Sequence, residues 1–220
     1  MEVTITTDET QAEIYFTLDG SEPTISSPKY TVPLTLSENT KVKAIAVHPE
    51  KQPSYVDSAI YYKAYQIQSI RNISQPAPKY SGRGERTLIN SVRATSAFGD
   101  KEWQGYEATD ADVILDLGRM RIVKKVTVGC LSDNMSWIFL PVRIEVRTSA
   151  DGVEFSPIKA RAYEIPSANE GVFIRDLSVD INPLEARYVA VKVKNIGTCP
   201  PWHGGAGGKA WLFIDQIFVE

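Results

Sequence analysis

The sequence predicts an all-β protein made of two β-sandwich domains. Three observations carry that prediction. Apolar and polar residues alternate with a period of two along most of the chain. The 3.6-residue period of an amphipathic helix is nearly absent, and turn-forming dipeptides punctuate the alternating runs. Many short strands with regular turns are the pattern of sandwiches and barrels.

The elements follow in chain order. Ile14, Phe16 and Leu18 share one face of a first strand, while Glu13, Tyr15 and Thr17 take the other. Asp19-Gly20 turns the chain at its end. Lys41 to Val47 alternates similarly, and Ala59-Ile60-Tyr61-Tyr62 closes this first unit. A break falls near residues 63–80 and includes the Pro-Gly-Ser segment Gln75 to Gly82. The expected domains are therefore residues 1–65 and 66–220. The first is short for a stable sandwich and is expected to lean on its neighbour. In the second, Val126 to Leu131 reads as a buried strand, and Val142, Ile144 and Val146 alternate with Arg143, Glu145 and Arg147. Tyr188 to Val193 and Trp211 to Val219 are further strands. Asp151-Gly152, Asn182-Pro183 and the Gly204 to Gly208 stretch mark turns.

Composition narrows the function. The chain has 220 residues, 43% hydrophobic and 23% charged, which is enough apolar material for packed cores. The net charge is −3 with both signs interspersed, and no basic stripe appears. Nucleic acid and anionic membranes are therefore poor partners. No apolar run approaches the roughly 20 residues of a membrane span, so membrane insertion is not expected. The chain drops straight into a strand pattern, and a secretion signal is expected upstream of it. Cys130 and Cys199 are expected as free thiols, with no zinc-type spacing.

Particular motifs go further. Ile14 to Thr24 contains the run Asp19-Gly20-Ser21-Glu22-Pro23-Thr24, followed by Ser26 to Tyr30 and Lys41-Val42-Lys43-Ala44. Residues 3–62 thereby resemble the fibronectin-like, immunoglobulin-like C-terminal domain of chitobiases and β-hexosaminidases. Farther on come Leu88-Ile89-Asn90, Trp103-Gln104-Gly105-Tyr106, Ile114 to Gly118, Ile122 to Val126, Pro141 to Val146, Ser149 to Gly152 and Ala186 to Val189. Their order is similar to that of a discoidin, or coagulation factor 5/8 type C, domain. This is a galactose-binding-like jelly-roll, known in glycosidases as a family 32 carbohydrate-binding module. Ser136 to Phe139, Pro201-Trp202-His203 and Trp211 to Asp215 resemble the discoidin-like tail of family 20 β-N-acetylhexosaminidases of Bacteroides-type bacteria.

The resemblance implies an accessory region, not an enzyme. Family 20 catalysis needs an acidic pair in a His-Gly-Gly-Asp-Glu type stretch on a (β/α)8 barrel. This chain has neither. Its single Asp-Glu dipeptide, Asp8-Glu9, lies in a turn-like segment. No nucleophile elbow, phosphate loop or His-rich metal cluster is present.

Sugars are held by an aromatic ring beneath the apolar sugar face and by polar groups that pair with hydroxyls. Candidate loops are 97–109, 131–140 and 196–210. Trp202-His203, in a loop stiffened by prolines and then loosened by glycines, is expected to form an exposed platform. The alternative is that this loop docks on a neighbouring catalytic domain. Trp137, Trp103 and Tyr106 are further aromatic candidates, each set against a role in core packing, and Trp211 reads as core. Asp133, Asn134 and His203 are the candidate hydroxyl partners.

The discoidin resemblance also implies a structural calcium. Asn90 sits where that family places Asp or Asn, Thr95 offers a hydroxyl, and the terminal acidic pair is Asp215-Gln216 here. Gln216 removes one charge from the set. No other cofactor is required. The leading expectation is a non-catalytic, carbohydrate-binding region of a secreted, periplasmic or cell-surface β-N-acetylhexosaminidase. Its partners would be terminal sugars of the N-acetylglucosamine or galactose type and the catalytic domain of the same parent chain. The alternatives are domains that only brace or space the catalytic barrel, and protein or lipid adhesion.

Overall fold

Strands carry nearly all regular structure in the computed structural model, which describes residues 2–220. Among those residues helix is confined to 3-10 turns at Pro78–Tyr80, Thr87–Ile89 and Asn134–Ser136. This is the all-β class that the period-two alternation predicts. The chain divides into two units, Met1–Lys63 and Ala64–Glu220.

The first unit holds β1 (Glu2–Val3), β2 (Glu13–Thr17), β3 (Leu34–Thr35), β4 (Thr40–Val47) and β5 (Asp57–Tyr61). β2, β4 and β5 form an antiparallel sheet in that order, and β1 pairs with β3. The two ladders meet through Val3, Leu36 and Val42, with Ile5, Leu34 and Tyr61 packed around them. The turn after β2 follows from its residues. The Asp19 carboxylate accepts from the Ser21 N–H at 3.0 Å and its hydroxyl at 2.6 Å. Gly20 takes the left-handed backbone that this turn needs, with φ at 84°.

The second unit is a larger β-sandwich. Its strands are β6 (Ser69–Asn72), β7 (Gln104–Glu107), β8 (Ala111–Asp133), β9 (Arg143–Ser149), β10 (Lys159–Ala162), β11 (Val172–Lys194) and β12 (Trp211–Val219). β8 and β11 each run for 23 residues, far beyond an ordinary strand. The register explains their length, because both cross from one sheet to the other. Ala111 to Asp116 of β8 pairs with Tyr188 to Val193 of β11, flanked by β6 on one side and by β9 and β10 on the other. Arg121 to Asp133 of β8 pairs with Val172 to Ala186 of β11, with β12 and then β7 beyond β8.

Bulges make these corners, as they do where strands switch sheets. Register shifts fall between Asp180 and Leu184 and between Ala186 and Tyr188. Asn182-Pro183, which reads as a turn in the sequence, lies inside the first of them. Proline has no N–H for the ladder, so it is tolerated where the ladder is already broken. Between the sheets, Val113, Leu115, Ile144, Val146, Val189 and Val191 face Val126, Val128, Cys130, Leu177, Leu212 and Ile214 in one apolar core. Burying each such side chain stabilises the fold by roughly 1.5–3 kcal/mol. Cys130 and Cys199 are buried free thiols.

Candidate functional site

Three loops converge at the end of the sandwich where β8 stops and where β11 and β12 begin. They are 134–142, 163–171 and 195–210. Asp133 pairs with Val172 and with Ile138, and Ile138 bridges to Trp211. The strand ends thus fix where the loops leave the sheet. Between them lies a cleft of about 550 Å³, within the size range of small-molecule sites. Met135, Trp137, Asn169, Trp202 and His203 are among the residues that line it.

Trp137 is the most exposed of the aromatic rings that line the cleft. It follows the Asn134–Ser136 turn in the left-handed region, with φ at 66°, and its N–H donates to the Asn134 carbonyl at 3.0 Å. A bulky residue there is uncommon, and such strain concentrates at functional positions. The Trp137 carbonyl accepts from the Trp211 N–H at 2.8 Å, which fixes the backbone. Its indole lies against Gly205 and Gly208, where an added Cβ would come within 2.3 and 2.4 Å of ring carbons. The glycines of this loop therefore let backbone pack onto an aromatic face. The side chain remains 39% exposed.

His203 is buried behind Trp137. Its ring stands edge-on to Trp137, Phe139 and Trp202 at centroid distances of 5.7, 5.4 and 5.7 Å. One ring nitrogen, Nε2, lies 2.6 Å from the Asn134 carbonyl oxygen, and Nδ1 accepts from the Gly205 N–H at 3.0 Å. The two bonds together call for the neutral tautomer with its proton on Nε2. Both nitrogens are committed to the loops, so His203 positions Trp137 and is not the hydroxyl partner expected from sequence.

Trp202 also departs from expectation. It is half-buried against Phe139, Cys199, Ala210 and Ile196. Its indole N–H donates to the Pro166 carbonyl at 2.6 Å, tying loop 195–210 to loop 163–171. The irregular loop does fold into the protein here, because the backbone groups that would be stranded find partners. The N–H groups of Cys199, His203 and Gly207 each donate within the loop. Trp202→Ala should therefore lower stability by about 2 kcal/mol, through lost packing and one lost hydrogen bond. The check is a thermal melt of the whole chain, in which the second unit's transition drops by roughly 5 °C.

The other candidates sort by burial. Trp103 and Tyr106 are each 1% exposed and belong to the core, out of reach of a ligand. Trp103 donates to the Thr95 carbonyl at 2.9 Å, and the Tyr106 hydroxyl donates to Gln104 at 2.9 Å. Burial pushes the Tyr106 phenol well above its ordinary range. Loop 97–109 therefore contributes no platform. Asp133 is buried and accepts from the Ser136 N–H at 3.3 Å as the cap of its turn. Asn134 is buried too. It donates to the Ile138 carbonyl and accepts from the Glu170 N–H, both at 3.3 Å, so it braces two loops. Trp211 packs against Tyr80 and Phe213.

The third loop was missed in the sequence. Ser167, Ala168 and Asn169 form one wall of the cleft. The run Pro166-Ser167-Ala168-Asn169-Glu170-Gly171 carried a turn signal that could have placed it among the candidate loops. The cleft is uncharged in character. Among the described residues no Lys, Arg, Asp or Glu lines it. An exposed indole beside a thioether, a hydroxyl and an amide can hold a neutral ligand with one apolar face and several hydroxyls.

The expected calcium ligands do not form an open oxygen site. The Thr95 hydroxyl donates to Asp100 at 2.8 Å. Asp215 is fully buried and meets Arg93 at 2.6 Å, while Arg93 also reaches Asp176 at 2.8 Å. Burial holds the Asp215 carboxyl above its ordinary range, against the opposing pull of Arg93 and of the Ala94 and Gln216 N–H groups. Asn90 and Gln216 do meet, but an amide nitrogen of Gln216 points at the Asn90 side-chain oxygen. The residues present do not fit a calcium ion.

Comparison with known proteins gives three findings. Residues 3–61 match a family model described as Fn3 associated. No curated protein matches the chain. Solved structures similar to it include a Streptococcus pneumoniae fucose binding module, at 14% identity and a TM-score of 0.46 over 71% of this chain and 93% of that one. A Clostridium perfringens domain in complex with GalNAc-β-1,3-galactose is 16% identical, with a TM-score of 0.44 over 71% of this chain and 99% of that one. The C-terminal domain of a Bacteroides fragilis chitobiase is 14% identical, with a TM-score of 0.43 over 72% and 97%.

Proposed function

We propose that the second unit is a non-catalytic carbohydrate-binding domain of the discoidin type, and that the cleft at Trp137 takes the terminal residue of a neutral glycan. The observation that carries this reading is the Trp137 indole. It is held in a strained backbone, backed by glycines and left open to a cleft without charged side chains. A pyranose presents a C–H face to such a ring and hydroxyls to Asn169, Ser167 and the loop backbone. Terminal sugars of the N-acetylglucosamine or galactose type fit the chemistry. The motifs of residues 3–62 and of the tail around Trp202 and Trp211 support a parent chain that is a secreted glycoside hydrolase of the β-N-acetylhexosaminidase kind. In that setting this region would keep the enzyme close to its glycans.

A glycan array probed with the whole chain tests the proposal, with Trp137→Ala as the paired control. The expected result is retention on neutral glycans that the variant loses. No retention at all would leave the bracing role as the better reading, and equal retention of the two proteins would place the binding site away from Trp137.

A further inference from the structure

We propose that the Gln216 side-chain amide takes the place of a metal ion in the second unit: it fills an oxygen cage in the loop at Thr87 to Val92, so that the fold is calcium-independent, and a single Gln216→Glu change would convert the cage into a calcium site. The cage is built by one short stretch of chain. The Gln216 Nε2 lies 2.7 Å from the Thr87 carbonyl oxygen, 2.5 Å from Asn90 Oδ1 and 3.0 Å from the Val92 carbonyl oxygen. An amide nitrogen has two protons, yet three acceptors converge on it. Acceptors in excess of protons around one point are the arrangement that a central cation satisfies and that an amide satisfies by sharing. The Gln216 Oε1 meanwhile accepts from the Ser91 N–H at 3.1 Å, so the loop closes around both ends of the amide. Ser91, between two of these acceptors, takes the left-handed backbone, with φ at 65°. Thr87 and Gln216 are each 1% exposed.

The charges nearby agree with a neutral plug. Asn90 presents its oxygen to Gln216 because its Nδ2 donates to Glu102 at 3.0 Å. Glu102 is itself paired with Arg83, and Asp215 with Arg93. No carboxylate is left to face the cage among the described residues. A divalent ion there would lack the anionic ligands that calcium sites supply, and burying its charge uncompensated is costly. Glutamate at 216 would provide that charge and one more oxygen, in place of the amide nitrogen. The inference is independent of the carbohydrate reading, since cage and cleft share no residue.

The test is a pair of thermal melts on the whole chain, with calcium chloride as the probe and EDTA as its control. The wild-type protein should melt within about 1 °C of the same temperature in roughly 5 mM calcium and in EDTA, since a ligand without a site adds no stability by mass action. Gln216→Glu should melt below wild type in EDTA and rise by roughly 5 °C or more when calcium is added. A wild-type melt raised several degrees by calcium would overturn the proposal without any variant. So would a Gln216→Glu protein that melts alike in both conditions or folds in neither.

Discussion

Trp103→Ala is expected to lower the stability of the second unit by about 3–5 kcal/mol, the range for deleting a fully buried large aromatic side chain. The side chain is 1% exposed and packs among Ala94, Leu131, Ile138 and Phe213. Phe213 meets it edge-on at 6.5 Å, and Tyr80 and Phe98 extend the same cluster. Removing the indole leaves a cavity that β-sheet backbone on one side cannot close. It also leaves the Thr95 carbonyl without the donor now 2.9 Å away. The melting temperature of this unit should fall by roughly 10 °C or more. Differential scanning calorimetry reads it directly. A change within about 0.5 kcal/mol, the size of an ordinary surface substitution, would mean that this tryptophan is not core.

How much of this was legible in the sequence depends on which force decides each feature. Strand and turn placement is local. The period-two runs at Glu13 to Thr17, Lys41 to Val47 and Arg143 to Ser149 became strands, whose pleat sends successive side chains to opposite faces. Burial of aromatics in loops is not local. Trp103 and Trp202 both sit beyond any strand pattern, yet one lies in the core and the other half in it. What decides is whether distant chain supplies partners: the Thr95 carbonyl for Trp103, the Pro166 carbonyl for Trp202. Nothing in the spacing of either tryptophan encodes those contacts. The same holds for the polar candidates. Asp133, Asn134 and His203 read as hydroxyl partners in the sequence, but their hydrogen bonds run to the loops' own backbone.

The bends of β8 and β11 were hidden for a related reason. Gly118 and Asn182-Pro183 carry turn signals, which a single sequence cannot tell from a corner where one strand passes between two sheets. Gln216 is the opposite case. Its departure from an acidic residue was visible and pointed to a weakened metal site. Only the geometry shows that its amide nitrogen lies among the Thr87, Asn90 and Val92 oxygens.

Trp137→Ala is expected to weaken glycan binding by tenfold or more while costing far less stability than Trp103→Ala. Aromatic anchors at the centre of a binding site commonly carry about 2 kcal/mol or more each, and every 1.4 kcal/mol is a factor of ten in affinity. The backbone at 137 keeps its bonds to Asn134 and Trp211 whatever the side chain. The left-handed conformation costs alanine about what it costs tryptophan, so the substitution adds little new strain. Stability should drop by about 1 kcal/mol, for the part of the ring now resting on Gly205 and Gly208. A second variant separates the ring's presence from its placement. Gly205→Ala keeps Trp137 but puts a methyl group into the space of the indole, and no positive φ at 205 opposes the change. The ring must then swing into the cleft, and binding should fall severalfold with the tryptophan still there. Isothermal titration with the best glycan from the array measures both. Wild-type affinity in Trp137→Ala would remove the indole from the site. Wild-type affinity in Gly205→Ala alone would keep the indole as the platform but show that its close seating on the glycine loop does not set its position.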